Sequence, residues 1–145
     1  MSLSNIFSIS GSAMNAQTIR LNTTASNLAN AESISSSLEE TYRARKPVFA
    51  LKTPEGGLDA PFAQQDVPQA QGVDVLAIVE SDAPLRQEYN PNHPMADERG
   101  YVYYPNVNVV EEMADMISAS RSFQINADIM NTAKTLVQRT LSLGE

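Results

Sequence analysis

The chain contains no cysteine, no tryptophan and a single histidine, His93. Without cysteine there is no disulfide framework and no thiolate metal site, so composition leaves the redox compartment unread and an oxidising space would not alter the chain. Basic residues are also scarce. Ten Lys and Arg stand against seventeen Asp and Glu, for a formal charge of -7 and a pI near 4.6. Nucleic-acid phosphate is bound by neutralising it with Lys and Arg, and here only Arg43, Arg45 and Lys46 cluster, so no nucleic-acid partner is expected. Long apolar runs are missing too. The longest, Val75 to Val79, falls far short of the roughly 20 residues a membrane span requires, so no direct span is expected. Serines and asparagines interrupt residues 2 to 15, and no basic stretch precedes them, which argues against a cleaved secretory signal.

What the chain does have is helical rhythm at both ends. Phe7, Met14, Leu21 and Leu28 recur every seven residues, with Leu3, Thr18 and Ala25 filling the same stripe. Near the other end Val109, Met116, Phe123, Met130 and Val137 repeat the spacing, and Met113, Ser120, Ala127 and Leu141 sit four positions after members of that row. Alternating steps of three and four make a helix-packing seam. Ile129, Leu136 and Leu143 add a second row beside it, which favours a bundle or lattice over a simple two-stranded coil. In residues 1–31 the only charged side chain is Arg20, and Ser, Thr, Asn and Gln take the positions where a solvated helix carries Lys and Glu. The polar side of that helix therefore suits close, neutral contact with other chains. Its few large apolar residues set against some 30 ordered backbones, at roughly 1–2 kcal/mol each, predict that it orders only when further surface is covered.

All eight prolines fall between the two helices, from Pro47 to Pro105. Residues 32–42 read as a serine-rich acidic loop, and Pro47 to Lys52 as a strand opening at a proline. Residues 53–72, rich in Pro, Gly and Gln, read as an exposed loop. Strands are expected over Val73 to Glu80, Leu85 to Tyr89 and Tyr101 to Tyr104, with turns at Asn90–Pro94 and Asp97–Gly100. Together they suggest one small antiparallel sheet. The last helix is bracketed from Val109 to Leu143: Asn108 as N-cap, Glu111 placed to return to the cap, Glu111, Glu112 and Asp115 at the positive end of the macrodipole, Lys134 and Arg139 toward the other, and Gly144 to close. The expected architecture is α+β, two long terminal helices pairing as an antiparallel coiled coil. The expected domains are an assembly helix over 1–31, a β-rich centre over 32–105 and an assembly helix over 106–145.

Two segments carry a resemblance. Ser26-Asn27-Leu28-Ala29-Asn30-Ala31-Glu32-Ser33 is similar to the Asn-Leu-Ala-Asn-Ala signature of the flagellar axial proteins, the rod and hook subunits, with Ser33 retaining the hydroxyl of the usual threonine. His93-Pro94-Met95-Ala96-Asp97, Gly100-Tyr101-Val102 and Pro105-Asn106-Val107-Asn108-Val109-Val110-Glu111-Glu112-Met113 resemble the proximal-rod members of that family most closely. Ser35-Ser36-Ser37 departs from the shortest family versions and suggests a lineage-specific loop. The resemblance implies a non-catalytic subunit, without cofactor, exported unfolded through the flagellar type III apparatus without a cleaved signal. It implies polymerisation into the rod that crosses the periplasm around the export channel. Implied partners are sister copies, other rod proteins and a basal-body adaptor protein. The assembly seams would be Leu3, Phe7, Met14, Leu21, Ala25 and Leu28 on one helix and Val109, Met113, Met116, Phe123, Met130, Val137 and Leu141 on the other.

Sharper chemical readings each meet a plainer one. His93 beside Asp97 hints at a metal or a base, but no second His or Cys accompanies it and no nucleophile elbow is present, so a turn role is the better reading. Glu111 and Glu112 have a sufficient reason to sit at a helix start. Gly56-Gly57 lacks the Lys-Ser/Thr of a phosphate loop, and Asn22-Thr23-Thr24 is a chance sequon inside a helix. Met113, Met116 and Met130 suit either core or an adaptable contact face. Tyr101, Tyr103 and Tyr104 are better as packing than as a stacking platform on so acidic a chain. The residues alone leave two rivals, a membrane-surface amphipathic protein, disfavoured by scarce basic residues, and a small hydrolase, disfavoured by the missing nucleophile. Another rod or hook-type axial protein is the nearest alternative within the family.

Overall fold

A computed structural model describes residues 3–52 and 72–142, with the side chains of Leu3 and Ser4 outside the description. Its order is α1 (Leu3–Ala29), β1 (Arg45–Leu51), β2 (Val73–Glu80), β3 (Arg86–Tyr89), β4 (Tyr101–Tyr104) and α2 (Val109–Ser142), an α+β chain. At about 1.5 Å per residue, the 34 residues of α2 span roughly 50 Å. The expected single sheet is instead two separate two-stranded sheets, β1 with β2 and β3 with β4. The reading of 53–71 as a loop, and of Leu143 and Gly144 as the end of the last helix, falls outside the described residues.

The chain divides into two compact units, the first drawing on three separated stretches and the second on two. The first comprises Met1–Ile19, Val48–Ala77 and Ala119–Glu145. Its buried side chains are small: Ser10 and Ala16 on α1, Ala119 and Ala133 on α2. Gly11 on α1 faces Met130 of α2, and a Cβ there would stand 3.8 Å from Met130 Cε, an ordinary packing distance. Gly72, at φ 143°, opens β2 where any side chain would collide with Ser12 Oγ. That hydroxyl donates to Ile9 O at 2.9 Å and accepts from Val73 N at 3.1 Å, which fastens the strand to the helix. The strands here leave Leu51 and Leu76 about 70% exposed, at 71% and 70%.

The second unit comprises Arg20–Pro47 and Ile78–Ser118. Here β3 and β4 run antiparallel, with Arg86 opposite Tyr104 and Tyr89 opposite Tyr101. Cross-strand aromatics hold the ribbon: the Tyr89 and Tyr101 rings meet edge to face at 5.3 Å, and the Arg86 guanidinium lies 4.5 Å from the Tyr104 centroid. Val102, wholly buried, is the apolar centre of the unit. Ser35, from the serine-rich loop, pairs its backbone with Tyr103 in both directions at 3.1 Å, so part of that loop is bound as a third, one-residue edge. Gly100 must be glycine: φ is 83°, and a Cβ would meet Tyr89 Cε2 at 2.9 Å.

Turn chemistry accounts for the histidine. His93 Nδ1 accepts from Met95 N at 3.1 Å, and His93 O from Ala96 N at 3.0 Å. Asp97 organises the next turn. Its Oδ1 accepts from Tyr101 N at 2.8 Å and Arg99 N at 2.9 Å, and its Oδ2 from the Tyr103 hydroxyl at 3.1 Å. The Tyr101 amide bond, with the Arg99 amide and Tyr103 hydroxyl assisting, holds the Asp97 carboxyl below the ordinary range, while burial and the neighbouring carboxylate raise the Tyr103 hydroxyl.

A carboxyl whose folded pKa is depressed contributes stability above its unfolded value and loses that contribution as pH falls through the folded one. The Asp97 carboxyl should therefore titrate below about 3.9, with protection of the Arg99 and Tyr101 amides lost only in that lower window. A carbon-detected NMR titration with a midpoint at or above the ordinary aspartate value would contradict the turn geometry.

Candidate functional site

Side-chain amides, rather than apolar contacts, form the most heavily bonded part of the second unit. Asn27, two residues before the end of α1, is fully buried, at 0% exposure, a rare place for an amide unless every polar atom is satisfied. It is satisfied by one peptide unit's worth of strand. Its Nδ2 donates to Arg45 O at 2.8 Å, and its Oδ1 accepts from Arg45 N at 2.9 Å and from the Tyr42 hydroxyl at 2.9 Å. The side chain imitates a neighbouring strand, pairing with both backbone groups of one residue. This explains why β1 begins at Arg45, two residues before the expected Pro47: the ladder starts on Asn27, and Pro47 follows where no N–H is needed.

Asn106 does the equivalent from the segment entering α2. Its Oδ1 accepts from Ala44 N at 2.8 Å, and its Nδ2 donates to Ala83 O at 2.8 Å and Ser81 O at 3.2 Å. Ser81 N in turn donates to Ala44 O at 2.8 Å, and the Arg43 guanidinium to Ser81 O at 3.1 Å. Two asparagines from opposite ends of the sequence thus converge on the adjacent residues Ala44 and Arg45. The other two signature asparagines cap helices. Asn30 Nδ2 donates to Ser26 O at 2.8 Å at the end of α1, and Asn108 Oδ1 accepts from Val110 N at 3.1 Å and Glu111 N at 3.5 Å.

Ion pairs join the same region. Arg20, the lone charge of residues 1–31, bonds Asp115 at 2.6 Å. Lys46 Nζ meets Glu111 Oε1 at 2.9 Å, and this hydrogen bond raises the Lys46 pKa. The expected return of Glu111 to its cap is thereby corrected: a full positive charge on Lys46 offers more than the cap amide. Arg45 bonds Glu80 at 3.0 Å. Glu112 lies in the first turn of α2, as expected, and is buried there.

The expected seam residues fall into two classes. Phe7, Met14, Leu21, Leu28, Met116, Met130 and Val137 are half-buried within the chain. Ala25, Val109, Met113, Phe123 and Leu141 are exposed, Met113 at 51% and Leu141 at 70%. On α2 the buried row is Glu112, Ala119 and Ala133, with Asn126 half-buried between them, one register position away from the Met113 row. Hydrophobic periodicity weights large side chains and so does not mark the alanines of this row. Of the remaining signature positions, Pro105 is buried, Ala31 and Val107 are half-buried, and Ala29 is exposed. Among the described residues no cluster of His, Cys, Asp and Glu suits a metal ion, and no helix is long and apolar enough to cross a membrane.

The two signature segments lie where known sequence families match. Residues 7–32 match the family described as flagella basal body rod protein, and residues 98–143 the C-terminal family of flagellar basal body rod FlgEFG proteins. The two terminal helices of this α+β chain therefore carry the sequence segments of a flagellar basal-body rod protein. Full-length similarity narrows this. The flagellar basal-body rod protein FlgC of Escherichia coli O6:H1 is 44% identical over 145 residues, and that of Yersinia enterocolitica 45%, each covering 100% of both chains. FlgC of Borreliella burgdorferi is 33% identical over 149 residues, covering 99% of this chain and 98% of its own. The chain belongs to the FlgC family of flagellar basal-body rod proteins, which are structural subunits of the basal body.

Removing the Asn27 amide takes from Arg45 N, Arg45 O and the Tyr42 hydroxyl their shared partner, at about 1–3 kcal/mol for each group left unsatisfied. Asn27→Ala should therefore destabilise the chain by about 2–4 kcal/mol, read as a fall in thermal midpoint of roughly 5–12 °C. A change under about 0.5 kcal/mol, the range of ordinary surface substitutions, would show that the pairing is not formed.

Proposed function

We propose that this chain is a subunit of the proximal rod that polymerises through its terminal helices into the periplasm-crossing shaft around the export channel. One observation carries the reading. Among the described residues Val102 is, proline aside, the one buried apolar side chain larger than alanine, while Val110, Ile117, Ile125 and Leu136 on α2 stand 76%, 56%, 58% and 52% exposed. Large apolar residues on one long helix, left uncovered in the single chain, are the surface an assembling subunit carries. The seam residues named above, exposed and half-buried together, are the proposed contacts.

The division into an assembly helix over 1–31, a β-rich centre over 32–105 and an assembly helix over 106–145 belongs to the same proposal. So does antiparallel pairing of the two helices. Within the first unit Ile6 lines one apolar groove with Ile125, Ile129 and Leu136, and within the second Arg20 bonds Asp115, an order of residues that suits such pairing. The partners proposed are sister copies, other rod proteins and a basal-body adaptor protein. Delivery is proposed through the flagellar type III apparatus, unfolded and without a cleaved signal. A thin core of small residues favours this route, because little burial must be undone before export. The uncharged Asn15, Asn22 and Ser26 suit a channel wall that does not hold passing chains.

Phe123→Asp or Leu21→Asp should abolish incorporation into isolated basal bodies, a loss of at least tenfold, while the mutant chain remains soluble. Rods containing either variant at the normal level would contradict assembly through these seams.

A further inference from the structure

We infer that Ala44 and Arg45 form a latch through which the end of α1 and the start of α2 become ordered together. The inference rests on the hydrogen bonds of the second unit and is independent of the proposed role in the rod. Asn27 occupies both backbone groups of Arg45, and Asn106 occupies the amide of Ala44. Neither asparagine bonds the other. Each holds one of two consecutive residues, so the peptide that links them transmits the position of one to the other.

The charged contacts close the same circuit. Arg20 of α1 reaches Asp115 in the second turn of α2, and Lys46, the residue after the latch, reaches Glu111 in the first. Glu112, between those two acids, is 3% exposed. The start of α2 is thus held from α1, from β1 and from its own cap Asn108 at once. Losing Asn27 frees Arg45. That loosens Lys46 and Ala44, and with them the Glu111 and Asn106 contacts that fix the start of α2. The reverse path runs from Asn106 through Ala44 and Arg45 back to Asn27 and the last turn of α1. Independent sites more than about 7–10 Å apart with no shared partner respond separately; these share a dipeptide.

The consequence is a coupled transition. The end of α1, the Ala44–Arg45 segment and the first turns of α2 gain and lose order as one cooperative element. A chain with α1 unmade also lacks a fixed start for α2.

Amide exchange on the full-length chain, followed from trimethylamine N-oxide through buffer into urea, tests this. Protection at Asn27, Ala44, Arg45 and Glu112 should appear and vanish at one shared midpoint. Asn27→Ala and Asn106→Ala should each move that midpoint toward the osmolyte side for all four amides, accelerating each at least tenfold in buffer wherever it is protected there. Ser12→Ala, which removes the acceptor of Val73 N in the first unit, should change Val73 and leave the four within twofold. Glu112 retaining its midpoint in Asn27→Ala would overturn the latch. So would Ser12→Ala shifting all four amides alongside Val73, because the coupling would then be that of the whole chain.

Discussion

A buried carboxamide cannot be left half-bonded. That requirement, met by Asn27 against the backbone of Arg45, is the constraint on which the second unit is built. It fixes where β1 starts, brings Tyr42 over the same oxygen, and sets the Ala44 amide where Asn106 can take it. Apolar packing contributes the single wholly buried Val102, but hydrogen bonds decide the arrangement around it. The unit is specified by polar geometry, and hydrophobic burial holds what that geometry has placed.

The scarcity of large buried residues follows from the same design. Alanines occupy the buried positions 16, 119 and 133, whereas isoleucines and leucines on α2 remain outside. A self-contained globule of this size spends its large apolar residues inward. This chain withholds them, in keeping with the proposed assembly through its helices. Charge obeys the same economy: Arg20 is neutralised by Asp115, leaving the rest of α1 uncharged.

Much of the fold was legible in the sequence, for identifiable reasons. The capped, periodic α2 begins at Val109 as Asn108 predicts, and Val73–Glu80 and Tyr101–Tyr104 are strands with the expected limits because Gly72 and Gly100 each permit a backbone that other residues resist. What was not legible is long-range. The one-sheet expectation became two sheets because strand partners depend on contacts far along the chain. The asparagine motifs stood out as a signature, yet nothing local in Asn27 or Asn106 announces that they meet at Ala44 and Arg45. Glu111 was diverted from its cap by Lys46, 65 residues away. The row of small residues on α2 escaped notice because hydrophobic periodicity weights large side chains, while close helix approach selects small ones.

The central claim is that Asn27 pairs with Arg45 as a strand would. The most direct measurement is an NMR experiment on the side-chain amide itself, detecting scalar coupling across the hydrogen bond from Arg45 N to the Asn27 carboxamide carbon, together with the exchange rate of the Asn27 Nδ2 protons. The account predicts a resolved coupling and carboxamide protons exchanging at least a hundredfold more slowly than those of a free asparagine amide. An Asn27 amide with no coupling to Arg45 and the exchange rate of a solvated side chain would contradict it.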